Sequence, residues 1–273
     1  MTNHAIPLER LARTVLLRPS LRRPEFQPVW SRLHRLALWG MNAGPGGSLT
    51  ESGEAWVIRQ CARQVPAGEP FVLFDGGAND GSYALDAIHI AGRHASVHCF
   101  EPSPVSYRKL TATFAAHPQV KTLNFGLSNQ ERTATLFSHP GGAKEASLVK
   151  RDIGHWGLEQ TQSETVRLRR LDDYCREAGV ERIDLLKMDI EGHELPALEG
   201  AGNLLAEKRI RNIQFEFGSP DIESRTFFKD LFQLLNQHYS LYRIVYQGLA
   251  PIQAYSEFHE NFVTTNFLAV ARP

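Results

Sequence analysis

The sequence predicts an α/β domain built on a mostly parallel sheet with helices on both faces. Three observations predict it. From residue 71 onward, short apolar runs alternate with stretches of helical periodicity. The first run, Phe71-Val-Leu-Phe-Asp75, passes through the glycine-rich turn Gly76-Gly-Ala-Asn-Asp-Gly81 into Ser82, a helix-capping residue type. A second run, Ser96-Val-His-Cys-Phe-Glu101, ends in another acid about twenty residues after Gly81. A β-α-β series of this kind closes with right-handed crossovers, which bring the carboxyl ends of the strands to one rim, where ligands bind.

In chain order, residues 1–48 read as an N-terminal helical cap or extension, and 49–273 as the main α/β domain. The extension carries seven arginines (Arg10, Arg13, Arg18, Arg22, Arg23, Arg32, Arg35) against two glutamates. Leu8, Leu11, Val15, Leu33 and Leu36 recur at helical spacing, and Pro19, Pro24 and Pro28 are expected to break the run into short helices. The expected role is a cap with a solvated basic face; a lid on the substrate side or a homo-oligomer contact through the extension is the alternative. Gly44 to Ser48 reads as a hinge and 51–65 as a helix. Strand 71–75, helix 82–92, strand 96–101, a helix from Pro104 to His117 and strand 120–124 follow. Thr133 to Ser138 alternates as an antiparallel insertion, and the stretch from Gly141 to 164 is expected as a long loop. Then come strand 165–168, helix 172–178, the buried strand Ile183–Asp189, and a helix striped by Leu195, Leu198, Ala201 and Leu205. Strand 213–217, helix 224–237 and strands 240–246 and 266–271 complete the chain.

The 273 residues suffice for one large domain or one domain with an appendage. Lysine plus arginine equals aspartate plus glutamate at 30 each, so no global field recruits nucleic acid, and no nucleic-acid partner is expected. No apolar run reaches transmembrane length. Three dispersed cysteines, Cys61, Cys99 and Cys175, fit neither a zinc spacing nor a disulfide framework. With no clean leader pattern at the start, a reducing, cytoplasmic location is expected.

The chemistry concentrates in three stretches. Asp75 and Gly76 to Ser82 form a nucleotide-sized cradle. Its spacing, Asp-x-Gly-x-x-x-Gly, departs from the dinucleotide Gly-x-Gly-x-x-Gly, and an acid before the glycines suits a ligand with hydroxyls and a positive charge. Glu101, before Pro102 and Ser103, stands where a doubly wound fold places the acid that accepts ribose hydroxyls. Asn124-Phe-Gly-Leu-Ser128 puts Gly126 and Leu127 at the rim, able to border a base. Lys187-Met-Asp-Ile-Glu-Gly-His-Glu194 then clusters Asp189, Glu191 and Glu194 with His193. Lys187, inside an apolar strand, needs a buried acid as partner. Asp189, Glu191 and Glu216 are a conceivable metal set, but no spacing demands one and no metal is assigned.

Taken in order, Asp75-Gly-Gly-Ala-Asn-Asp-Gly81, Phe100-Glu-Pro102, Asn124-Phe-Gly-Leu-Ser128, Leu171-Asp-Asp173, Lys187 to Glu194 and Phe215-Glu-Phe217 resemble the FkbM family of methyltransferases. The closing Asn266-Phe-Leu-Ala269 is also similar, and the first 50 residues lie outside the match. Gly76 stands where the family has an apolar residue, and His193 where it has a small or aromatic one. The resemblance implies a class I methyltransferase (Rossmann-like) fold with a seven-stranded, mostly parallel sheet, S-adenosyl-L-methionine as cofactor, and transfer to a hydroxyl of a small-molecule acceptor, often a sugar or polyketide-like compound. Asp75, Gly76, Gly77, Ala78, Asn79, Gly81 and Ser82 are then expected at the methionyl end of the cofactor. Glu101, Pro102 and Ser103 are expected at the ribose, Gly126 and Leu127 at adenine, and Asp189, Glu191 and His193 at the reacting centre, with His193 as the base. An NAD-linked oxidoreductase and a non-catalytic S-adenosylmethionine-binding module are the competing readings; the glycine spacing disfavours the first and the intact acids the second.

Overall fold

The computed structural model describes residues 20–44, 48–92, 94–140 and 142–273. They fall into two units, one ending at Ala43 and one running from Gly44 to Pro273.

In the first unit a short 3-10 turn, Pro24–Phe26, leads into the helix Gln27–Gly40. Pro28 does not break this helix as the sequence suggested. It sits in the first turn, where its missing N–H has no helical partner to lose. Trp30 Nε1 donates to the Ser20 carbonyl at 3.1 Å. The expected helix around Leu8 to Val15 and most of the Gly44–Ser48 hinge lie outside the described residues.

The second unit is organised by an eight-stranded sheet. Its first three strands, β1 (Phe71–Gly76), β2 (Ala95–Phe100) and β3 (Val120–Leu123), are parallel. The chain then builds a second sheet from β4 (Gly126–Leu127), β5 (Arg132–His139), β6 (Gly142–Ser147) and β7 (Gln162–Arg169). It returns to the main sheet as β8 (Leu185–Met188) and β9 (Asn212–Phe217), and finishes with β10 (Tyr239–Val245), β11 (Gly248–Ile252) and β12 (Thr265–Ala271). Across the main sheet the order is β3-β2-β1-β8-β9-β12-β10-β11, with β12 antiparallel to both its neighbours.

Neighbouring residues on each strand point to opposite faces, and both faces are covered, as a mostly parallel sheet requires. Leu73, Val97 and Leu185 pack under the helices Glu54–Arg63 and Ser82–Ala91. Phe74, Phe100, Leu186 and Phe215 pack under Leu171–Ala178 and the helices beyond it.

Five expectations change. The helix striped by Leu195, Leu198, Ala201 and Leu205 is two short helices, Glu194–Glu199 and Gly202–Ala206. The main sheet has eight strands rather than seven, because Tyr246-Gln247 turns β10 directly into an added edge strand. Pro251 in that strand hides the pattern from sequence reading, and an edge is where a strand tolerates proline. Strand 165–168 belongs to the second sheet. The supposed loop from 141 contains β6, which pairs antiparallel with β5, so the irregular stretch shrinks to 148–161 around a 3-10 turn, Gly154–Trp156. Helix 224–237 is two helices, Pro220–Ser224 and Phe228–Leu235, separated by Arg225 at φ 60°.

Candidate active site

The carboxyl ends of β1, β2, β8 and β9 border a cavity of about 560 Å³, roofed by the second sheet. Gly77, Ala78, Asn79 and Ser82 line one wall, Glu101, Pro102, Gly126 and Leu127 the next. Asp189, Glu191 and His193 face it from the turn after β8. The structure therefore brings most of the expected residues to one space.

The turn after β1 is held by backbone geometry. Gly77 has φ +76°, and a Cβ there would stand 2.0 Å from the Asp189 carbonyl oxygen, so no other residue fits without moving the β8 turn. Asn79, at φ 49°, donates its backbone N–H to Glu101 Oε2 at 2.8 Å, and the Ser103 N–H donates to Glu101 Oε1, also at 2.8 Å. Glu101 is thus pinned by two amides, keeps two lone pairs and lines the cavity. Burial pushes its carboxyl up to about 7 against the pull of those two hydrogen bonds.

Four expected ligands stand behind the wall rather than on it. Asp75 is fully buried and lies 3.1 Å from Lys187 Nζ, so its carboxylate is committed to the lysine. Gly76 is within β1, Gly81 faces Phe114, and Ser103 Oγ accepts the Ser106 N–H to cap the helix Pro104–Thr113. Ser82 is not the cap of its helix; its N–H and Oγ both donate to Asp80 Oδ1, the oxygen that serves the helix start.

Lys187 is paired as the sequence required, and also lies over the Tyr83 ring at 4.9 Å, with Asp189 Oδ2 at 3.7 Å. Burial pulls its pKa down, but Asp75, Asp189 and Glu54 outweigh that and hold it above the ordinary lysine range. Burial also pushes Asp75 up, more than Lys187 pulls it back. The two directions conflict for one pair. Geometry decides for the ionised form, because a neutral Asp75 would strip a buried ammonium of its nearest counter-ion.

Glu191 lines the cavity in a left-handed conformation, φ 56°, and its carboxylate contacts Arg151 Nη1 at 2.5 Å. Ser147 Oγ donates to the Glu191 carbonyl at 2.9 Å, so the second sheet and the following loop are tied to the β8 turn at this residue. Burial raises the Glu191 pKa, Asp189 adds to the rise, and Arg151 opposes both. His193 Nε2 lies 3.0 Å from Ser128 Oγ. Burial, with Arg132 adding, lowers its pKa to about 4, so the near-neutral titration that suggested a base does not hold in this setting. Glu194 points away, accepting the Ile190 N–H at 2.8 Å.

Sequence reading missed Glu54, Tyr83 and the apolar surface of Leu136, Leu148 and Leu168, all of which line the cavity, and Arg151, which stands behind Glu191. Each joins the site through contacts distant in sequence, with no local signal to find it. Among the described residues no group of three His, Cys, Asp or Glu has the arrangement to hold a metal ion.

The residues present fit S-adenosylmethionine. Glu101 keeps acceptor capacity beside a glycine turn, and the cavity's carboxylates exceed its cations. Lys187 is balanced by Asp75 with Asp189 at 3.7 Å, and Arg151 by Glu191, leaving Glu54 and Glu216, both raised by burial, as carboxyls that a positively charged ligand would draw toward the ionised form.

The sheet order, with the reversed β12 between β9 and β10, defines a class I methyltransferase fold. The Methyltransferase FkbM domain matches residues 75–243, and the chain belongs to that family. It is 30% identical over 165 residues to the 2-O-methyltransferase NoeI of Sinorhizobium fredii, covering 56% of this chain and 66% of the relative. It is 30% identical over 167 residues to the hexuronic acid methyltransferase AglP of Haloferax volcanii, covering 61% and 64%. Against the 31-O-demethyl-FK506 methyltransferase FkbM of Streptomyces tacrolimicus the identity is 32% over 154 residues, covering 47% and 58%. The match thus spans 58% to 66% of the length of these relatives, less than two thirds of each.

Proposed function

We propose that this chain is an S-adenosylmethionine-dependent O-methyltransferase that acts on a hydroxyl of a small molecule, a sugar or a polyketide-like compound. The observation that carries the reading is Glu101, a buried carboxylate pinned by the Asn79 and Ser103 amides, with acceptor capacity to spare, in the wall of a cavity that Gly77 and Gly126 also line. The O-methyltransferase names of relatives NoeI and FkbM, and the sugar acid in the name of AglP, support the acceptor class.

When bound, S-adenosylmethionine supplies a methyl group already activated as an electrophile. The protein's task is to align an acceptor oxygen, exclude water and manage one proton. Glu101 accepts the ribose hydroxyls, Gly126 and Leu127 border adenine, and Gly77 to Asn79 let the backbone come close. Asp189 faces the positive centre. His193 is neutral above about pH 4; with Nε2 against Ser128 Oγ, its Nδ1 would accept the hydrogen bond of the acceptor hydroxyl and take the proton that this hydroxyl loses as its oxygen gains the methyl group. The β6 strand and the 148–161 loop wall the acceptor side and shield it from solvent, held there by Arg151 and Glu191.

Calorimetry with S-adenosylhomocysteine tests the cofactor, and methyl transfer to a panel of hydroxyl compounds tests the reaction. Absence of binding at millimolar ligand removes the proposal. His193→Ala is expected to lower turnover by one to two orders of magnitude with cofactor affinity unchanged; full turnover would remove the histidine's role.

A further inference from the structure

Glu54 belongs to the segment before the family-matched residues, yet it lines the cavity. It opens the helix Glu54–Arg63, and its position is fixed from behind. Gly53 has φ +87°, and a Cβ on it would stand 2.2 Å from the Val245 carbonyl oxygen, so the helix start is pressed against the end of β10. The carboxylate is oriented from both sides: Ser52 Oγ donates to Oε2 at 2.7 Å and Gln214 Nε2 to Oε1 at 2.6 Å. Both donors are neutral, and among the described residues no ion pair reaches Glu54. Each of its oxygens keeps a lone pair. The nearby ammonium, Lys187 Nζ, is committed to Asp75.

The placement gives the cavity two ends. Glu101 follows β2, whereas Glu54 is bonded to Gln214 of β9; β1 and β8 lie between them. Three strand spacings correspond to about 14 Å along the rim. An extended nucleoside with an amino-acid tail bridges such a distance, its sugar at Glu101 and its tail beyond the glycine turn, toward Tyr83 and Glu54.

We propose that Glu54 binds the ammonium group of the cofactor's methionyl end, an inference that rests on the S-adenosylmethionine reading of the cavity. A partly buried, pre-oriented carboxylate hydrogen-bonded only by neutral donors supplies a charge-assisted hydrogen bond to an ammonium without reorganising. Burial raises the Glu54 pKa, and a bound cation would draw it back toward the ionised form. The assignment also explains why a residue outside the family-matched segment shares the same wall: the upstream helix completes the cofactor site.

The test compares two ligands that differ in the tail. S-adenosylhomocysteine carries the ammonium; 5′-methylthioadenosine has the nucleoside and no amino acid. Calorimetry on the wild type, Glu54→Gln and Glu54→Asp is expected to show Glu54→Gln binding S-adenosylhomocysteine roughly tenfold to a hundredfold more weakly. Its affinity for 5′-methylthioadenosine should stay within about twofold of wild type, because the nucleoside contacts are untouched. Glu54→Asp, which retains the charge, should lie between the two for S-adenosylhomocysteine. Equal losses for both ligands would mean that Glu54 only supports the fold, and unchanged S-adenosylhomocysteine affinity would mean that it meets no ammonium; either overturns the inference while leaving the cofactor reading standing. A wild type that binds neither ligand overturns both.

Discussion

Replacing Lys187 with methionine isolates the buried ion pair beneath the site. Lys187 Nζ stands 3.1 Å from Asp75 Oδ1, with the two side chains 7% and 0% exposed. At an effective dielectric constant of about 20, unit charges at that separation attract by about 5 kcal/mol. Lys187→Met leaves Asp75 charged in the core with no other hydrogen-bond partner among the described residues. Loss of one member of a buried pair costs about 3–5 kcal/mol, a large share of the ordinary stability of a domain. Urea denaturation followed by circular dichroism measures it, provided the slope of the transition is unchanged. The double variant Asp75→Asn, Lys187→Met should recover most of the loss, because neither remaining side chain carries a charge. A loss below about 1 kcal/mol for Lys187→Met, or a double variant no better than the single, would refute the view that this pair is ionised and balanced.

The other predictions concern the turn, the ribose acid and the roof. Gly77→Ala places a methyl 2.0 Å from the Asp189 carbonyl oxygen, so it should cost at least about 2 kcal/mol and abolish detectable S-adenosylhomocysteine binding; normal binding would show that the turn adapts. Glu101 has its pKa raised from 4.5 to about 7 in the folded chain, so its favourable contribution is fully present below pH 4.5 and is lost as pH rises to 7, at most about 3 kcal/mol. Chemical denaturation of the wild type and Glu101→Gln across that window should show a shallower decline in the variant. Because ribose hydroxyls favour the ionised carboxylate, S-adenosylhomocysteine affinity should weaken below pH 7 in the wild type alone. Arg151→Met leaves Glu191 without its cation and loosens the link between roof and β8 turn; acceptor KM should rise roughly tenfold with cofactor affinity retained, and amides of 148–161 should exchange faster with solvent. Unaltered exchange would mean that the loop is held by other contacts.

The cradle was legible because its parts are local. A strand, a glycine turn and a helix start occupy twelve consecutive positions from Phe71 to Ser82, and backbone sterics alone set their geometry. Glu101 was legible because strand-end position in a doubly wound sheet follows from alternation of the elements. The second sheet was only half legible: β5 alternates, but β6 contains Gly142, and its pairing with β5 depends on the turn between them. His193 was found by position, while its reduced basicity was not, since that comes from burial rather than from the residue type.

The sequence by itself determined the strand–turn–helix order, the acids at the strand ends and the need of Lys187 for a buried partner. Each follows from the preferences of a few neighbouring residues. Only the tertiary structure decided that Asp75 is that partner and stands behind the cavity wall. It also brought Glu54 to Gln214 across 160 positions of sequence, and turned Glu191 toward Arg151. Side chains that meet across parallel strands and an inserted sheet leave no periodic mark on the chain, because packing, not local backbone preference, sets their distance.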